Sequence, residues 1–172
     1  MRRVGSGLSV AAVIAALFMV AGRGAVAASA ATPAPAVEWR GADGAPVRMA
    51  DTKGKVVLVD FWASWCPPCK ESFPALDIIQ RDYRARGVAV IAVNVDERQK
   101  DADAFLAAHP HRLLVVFDPH GESPKAFNVR GMPSSFVIDR RGEIRYVHQG
   151  YSQGVDTAYR RELDGLLAEP AS

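Results

Sequence analysis

The sequence predicts an α/β fold: one central mixed sheet with helices on both faces, preceded by a small N-terminal hairpin. Three observations predict it. Two continuous apolar runs of strand length, residues 55–61 and 88–95, enclose a segment with helical spacing. A third apolar run, 113–117, follows a shorter helical segment. The last third changes character, with two strands around a tight turn and a closing amphipathic helix. The order β-α-β-α-β, then β-β-α, calls for parallel strands joined by helical crossovers and an antiparallel addition.

Taken in order, residues 37–39 and 47–49 flank a Gly-Ala-Asp-Gly turn at 41–44 and predict the entrance hairpin. The run 55–61 has no polar residue between Lys55 and Asp60, the pattern of a central strand covered on both faces. Phe73, Leu76, Ile79 and Tyr83 are spaced as one face of a helix over 66–86, with Pro74 expected to kink it and Gly87 to stop it. Residues 88–95 form the next buried strand. A short helix over 101–108, carrying Phe105 and Leu106, leads to the strand at 113–117, and 123–127 predict a further helical turn. Residues 135–139 and 143–148 pair around Arg140-Arg141-Gly142. Val155, Tyr159, Leu163, Leu166 and Leu167 mark the buried face of the final helix.

Length and composition agree with one globular domain. The chain has 172 residues, 49% hydrophobic and 23% charged, with two Cys, which excludes both a disordered chain and a disulfide-dense scaffold. The formal charge is +2, but Arg2, Arg3 and Arg23 lie in a first segment without acids. Removing these three from the 21 basic residues leaves 18 against 19 acidic, so no basic surface argues for nucleic acid. Residues 4–22 carry no charge, and small residues follow at Ala25-Val-Ala27. A basic start, an apolar run and an A-x-A site read as a secretory signal over 1–27, the alternative being an uncleaved membrane anchor. Residues 28–36, with Thr32-Pro-Ala-Pro-Ala36, read as a linker, and 37–172 as the folded domain. The expected location is periplasmic or otherwise exported, or tethered to the outer face of the cytoplasmic membrane. Export places both Cys in an oxidising compartment.

Those two Cys stand in Trp65-Cys66-Pro67-Pro68-Cys69-Lys70, after a buried strand and at the start of a helix. A thiol at a helix N-terminus faces unpaired N–H groups and the positive end of the dipole, which favours its thiolate. Cys69 lies one turn on, within disulfide reach, so Cys66 is the expected attacking thiol and Cys69 the resolving one. Structural zinc calls for a second Cys pair, which the chain lacks, and haem attachment calls for His at position 70, where Lys70 stands. His109, His111, His120 and His148 show no ligand spacing to one another. No cofactor or resident metal is expected.

The segment Val59-Asp-Phe-Trp-Ala-Ser-Trp-Cys-Pro-Pro-Cys-Lys70 resembles the active site of the thioredoxin superfamily. The similarity is greatest to its exported TlpA/ResA-like thiol–disulfide oxidoreductases. Arg130-Gly-Met-Pro133-Ser-Ser-Phe-Val-Ile-Asp139 resembles that family's second motif. The resemblance covers about residues 37 to 167 and implies a thioredoxin-like fold, a cis Met132–Pro133 bond and a docking groove formed by Trp65, Met132 and Pro133 beside Cys66. Pro74 also matches the family's helix-kinking Pro. Asp60 matches the buried Asp of thioredoxins that assists the resolving thiol by proton transfer, where many TlpA-like members have Asn. Glu97 matches an acid near the Cys pair in ResA-like proteins. A buried acid beside a dithiol is expected to have a raised pKa. The alternatives are that Asp60 is a satisfied strand-end acid and that Asp96-Glu97 cap the next helix.

The resemblance implies a reductant of protein disulfides, with apocytochrome Cys-x-x-Cys-His segments or copper-site assembly proteins as substrates and a membrane thiol transporter as electron donor. Gly131-Met-Pro-Ser-Ser135 departs from the Gly-Ala-Pro-Glu-Thr common in cytochrome c maturation reductases, which puts that dedicated role in question. The competing readings are a disulfide-introducing oxidase, a Cu(I) chaperone using both thiolates, which would want a third ligand, and a peroxide reductase.

Overall fold

The computed structural model describes residues 32–170. The expected signal, 1–27, and positions 28–31 of the expected linker lie outside them. In chain order the strands are β1 (Thr32–Pro33), β2 (Glu38–Gly41), β3 (Pro46–Arg48), β4 (Val56–Trp62), β5 (Val88–Asn94), β6 (Leu114–Phe117), β7 (Ser134–Ile138) and β8 (Glu143–Gln149). The helices are α1 (Pro67–Tyr83), α2 (Gln99–Ala108), α3 (Glu122–Ala126) and α4 (Val155–Ala168). The described strands form one sheet in the order β1-β8-β7-β4-β5-β6-β2-β3.

β4 is buried at every position and pairs parallel to β5 on one side and antiparallel to β7 on the other. Its alternation divides the core. Val56, Leu58 and Trp62 face α1, α2 and α4 and pack with Phe73, Leu76, Phe105, Tyr159 and Leu163. Val57, Val59 and Phe61 face the opposite side with Trp39, Met49, Phe127 and Phe136. From β4 the chain steps outward to β5 and then β6, both parallel. The two crossovers put α1 and α2 on the same face, where Phe73 and Leu76 of α1 and Ala102 and Phe105 of α2 share one cluster, as the usual right-handed connection requires. The return from β6 to β7 carries α3, whose last turn leads into Phe127 in the opposite cluster. Helices therefore cover both faces, but unequally.

α1 begins with Pro67 and Pro68, suited to a first turn whose N–H groups have no intrahelical partner. It continues through Pro74 as one helix. Pro74 is exposed, as is Lys70 four residues before it, so water can take up the carbonyl left without a donor. Gly87, at φ 90°, turns the chain into β5 in a left-handed conformation that a side chain would strain.

Two segments differ from the sequence reading. The entrance hairpin is part of the main sheet, because β2 pairs antiparallel with β6. Trp39 is buried and donates from Nε1 to Ser123 Oγ at 2.7 Å, tying the hairpin to α3. Residues 32–36, expected as linker, follow the opposite edge of the sheet. Thr32 and Pro33 pair with Ile144 and Glu143, and the Ala34 amide donates to Gly142 O at 2.8 Å. Backbone groups at an open sheet edge gain partners by this docking, a contact that composition does not encode. Among the described residues no helix is long and apolar enough to cross a membrane.

Candidate active site

The end of β4 delivers the chain through Ala63, Ser64 and Trp65 to Cys66, which occupies the N-cap of α1. Cys66 and Cys69 form a disulfide with 5.3 Å between their Cα atoms. Cys69 is fully buried and Cys66 is 3% exposed. Since neither Pro67 nor Pro68 has an N–H, the first amide proton of the helix belongs to Cys69. It donates to Cys66 Sγ at 3.3 Å and also approaches Cys66 O at 3.1 Å. Once the disulfide is reduced, that donor and the helix dipole act on the Cys66 sulfur together.

Trp65 stands outward, 67% exposed, beside this pair, which excludes a core-filling role for it. Trp62 is fully buried under the helix, meeting Phe73 edge-on and Phe105 at a tilt. The Met132–Pro133 peptide is cis, as the resemblance implied, and Pro133 is buried. Pro133 O accepts from the Gly150 amide at 2.8 Å and Gly131 O accepts from Ser134 Oγ at 2.7 Å. Met132 lies between these two anchored residues, half-buried against both core clusters.

Asp60 lies on β4 in alternation with Leu58 and Trp62, the face that also carries Cys66 and Cys69. It is 1% exposed. Burial pushes its carboxyl up to about 7, opposed by the hydrogen bond from Ser135 Oγ to Oδ1 at 2.6 Å. Its other oxygen, Oδ2, has no hydrogen-bond partner among the described residues. The expectation of a buried acid with a raised pKa therefore holds for Asp60.

Glu97 occupies a different setting. That side chain is exposed, and the buried member of the pair is Asp96. Asp96 accepts from Ser64 N at 3.1 Å, Ser64 Oγ at 3.1 Å and Asn94 Nδ2 at 2.8 Å, so it fastens the loop presenting Trp65 and Cys66 to the end of β5. Helix capping fails, because α2 has Arg98 at its N-cap with no side-chain capping bond. Asn94 and Asp96, two apart at a strand end, share a side, and that period-2 relation was the available signal. Ser135 and Tyr159 were also missed as neighbours of Asp60, since only strand and helix pairing brings them together.

The histidines are dispersed. His109 stacks on Phe105, His111 meets the edge of Phe73, and His148 bonds Glu162 at 2.8 Å. Among the described residues no cluster of three or more His, Cys, Asp or Glu suits a metal ion.

The chain is similar to several known proteins in sequence and in fold. Over 134 residues the chain is 31% identical to the thioredoxin-like protein YneN of Bacillus subtilis, covering 76% of this chain and 78% of that one. Over 108 residues it is 32% identical to the thiol-disulfide oxidoreductase ResA of Oceanobacillus iheyensis. That match takes in 63% of this chain but spans only 56% of the ResA length. Among solved structures, a Chlorobium tepidum protein assigned as thiol:disulfide interchange protein DsbE superposes with a TM-score of 0.77 at 40% identity, covering 80% of this chain and 97% of that one. The exposed lipoprotein thioredoxin Etrx1 of Streptococcus pneumoniae gives 0.68 at 29% identity, covering 77% and 100%. The fold is thus thioredoxin-like, and residues 29–163 match the Redoxin family. That match takes in well over half of the sequence, and the chain belongs to the Redoxin family.

Proposed function

We propose that this chain is an exported thiol–disulfide oxidoreductase that reduces protein disulfides. The observation that carries the reading is the Cys66 sulfur at the N-cap of α1 receiving the first amide proton of the helix. The thiolate of reduced Cys66 attacks one sulfur of a substrate disulfide. A Cys66–substrate disulfide forms and the other substrate sulfur leaves as thiolate. The Cys69 thiolate then attacks Cys66 Sγ, closing the Cys66–Cys69 disulfide and releasing the second substrate sulfur. Two electrons pass to the substrate, and each released thiolate takes up a proton. Asp60 moves the proton of the resolving thiol, supported by its burial on the Cys face and a pKa near the working pH.

Trp65 and Met132 flank the incoming segment. The Met132 backbone, next to cis-Pro133, offers an extended substrate its N–H and C=O in the manner of strand addition. Apocytochrome Cys-x-x-Cys-His segments and copper-site assembly proteins are the proposed substrates, and a membrane thiol transporter is the proposed electron donor in an oxidising compartment. The names of the ResA and DsbE relatives support the redox reaction.

Equilibration with glutathione tests the direction. A potential below roughly −200 mV supports the reductase, whereas one near −120 mV makes the protein a disulfide-introducing oxidase.

A further inference from the structure

Asp60 is not alone on its face of the sheet. Ser135, its register partner on β7, places Oγ 2.6 Å from Asp60 Oδ1 and 2.7 Å from the Tyr159 hydroxyl of α4. All three side chains are buried. A Ser hydroxyl has one proton. Since that proton goes to the carboxylate, Tyr159 must donate to Ser135, and the bonds run in one direction, Tyr159 to Ser135 to Asp60. The series ends on Oδ1 and leaves Oδ2 without a partner among the described residues.

We propose that Ser135 and Tyr159 are positioning residues for the thiol exchange: their two hydroxyls hold Oδ1 of Asp60 and reserve Oδ2 as the oxygen that takes and returns the proton of Cys69. This rests on the oxidoreductase reading above. In the step concerned, the Cys69 thiol gives its proton to Oδ2 and its sulfur attacks Cys66 Sγ in the mixed disulfide. The Cys66–substrate bond breaks, and the departing sulfur carries away the electron pair and is then protonated.

Other groups surround this series. Glu162 on α4 and Tyr151 both act electrostatically on Tyr159. His148 on β8 packs edge-on against the Tyr159 ring at 5.0 Å and bonds Glu162 at 2.8 Å. α1 contributes Cys66 and Cys69 to the same buried cluster, while the β5 residue opposite Asp60, Ala92, carries no charge. Glu162, Tyr151 and His148 are common to the wild type and both hydroxyl variants below, so differences among them report the hydroxyls.

The test follows the carboxyl-carbon resonance of Asp60, identified by Asp60→Asn, against pH in the oxidised protein, together with the pH profile of mixed-disulfide resolution. Loss of a hydrogen bond to a carboxylate in Ser135→Ala is expected to raise the Asp60 midpoint by about one to two pH units. Tyr159→Phe removes only the more distant hydroxyl and is expected to raise it by about half a unit to one unit. Ser135→Thr restores it, and the resolution profile moves with the midpoint in every variant. A midpoint unmoved in both Ser135→Ala and Tyr159→Phe overturns the proposal, as does a midpoint that moves while the resolution profile stays in place. If the wild type resolves no mixed disulfide while the midpoint still moves, the oxidoreductase reading fails and only the hold on Asp60 survives.

Discussion

The backbone amide of Cys69 donates to the sulfur of Cys66 at 3.3 Å, and no earlier residue of α1 has an N–H to offer. The two prolines thus limit the donors that a Cys66 thiolate can recruit. Pro68→Ala adds one N–H at the second helical position. A further hydrogen bond to a charged sulfur is expected to stabilise the reduced form and raise the potential by about 30 to 60 mV. Glutathione equilibration of both proteins measures the shift, and an unchanged value would remove the amide from the account of Cys66 reactivity.

The order of attack predicts opposite fates for the two Cys variants. Cys69→Ser should accumulate a mixed disulfide with a substrate protein, because nothing displaces the substrate from Cys66. Cys66→Ser should form none, because the remaining Cys69 is fully buried. Mass spectrometry under non-reducing conditions distinguishes them.

Asp60 makes stability depend on pH. Its folded pKa, about 7, lies above the ordinary value of 3.8, so between these limits the folded state binds more protons than the unfolded one. Stability attributable to this group is therefore present below about pH 4 and lost as pH rises toward 7, by roughly 4 kcal/mol as an upper figure. Urea unfolding of the oxidised protein at pH 5 and pH 8 checks the slope, which Asp60→Asn should flatten. Equal slopes in both proteins would assign the effect to other groups.

Two neighbouring tryptophans should respond differently to truncation. Trp62 is fully buried among Phe73 and Phe105, and Trp62→Ala is expected to cost about 3–5 kcal/mol. Trp65 is mostly exposed, so Trp65→Ala should change stability by less than about 0.5 kcal/mol while slowing reduction of protein disulfides. Denaturation midpoints and the rate with an unfolded disulfide substrate separate the two effects.

Asp96 and Glu97 offer a similar contrast. Asp96→Ala strips partners from Ser64 and Asn94 and should cost about 1–3 kcal/mol, loosening the loop before Cys66. Glu97→Gln should leave the stability and the pH profile of exchange unchanged, since the side chain is exposed. A profile altered by Glu97→Gln would return this acid to the reaction.

The features legible along the chain are local ones. The apolar runs at β4 and β5, the spacing of Phe73, Leu76, Ile79 and Tyr83, and Cys-Pro-Pro-Cys at a strand-to-helix junction express short-range preferences and patterns within a single element. Boundaries of the main helices and strands consequently fell within a few residues of those observed. Tertiary structure decided what depends on pairing between distant segments. The entrance hairpin joined the main sheet because β2 found β6, and Thr32 and Pro33 docked because β8 had an open edge. The choice between Asp96 and Glu97 turned on which side chain the strand end carried inward. Ser135 reads as one polar residue near the start of an apolar run. It became a partner of Asp60 only when antiparallel register set β7 beside β4 and α4 supplied Tyr159 from above. Periodicity along a chain reports which face a residue occupies, whereas the group it meets there depends on a contact 75 residues away in sequence.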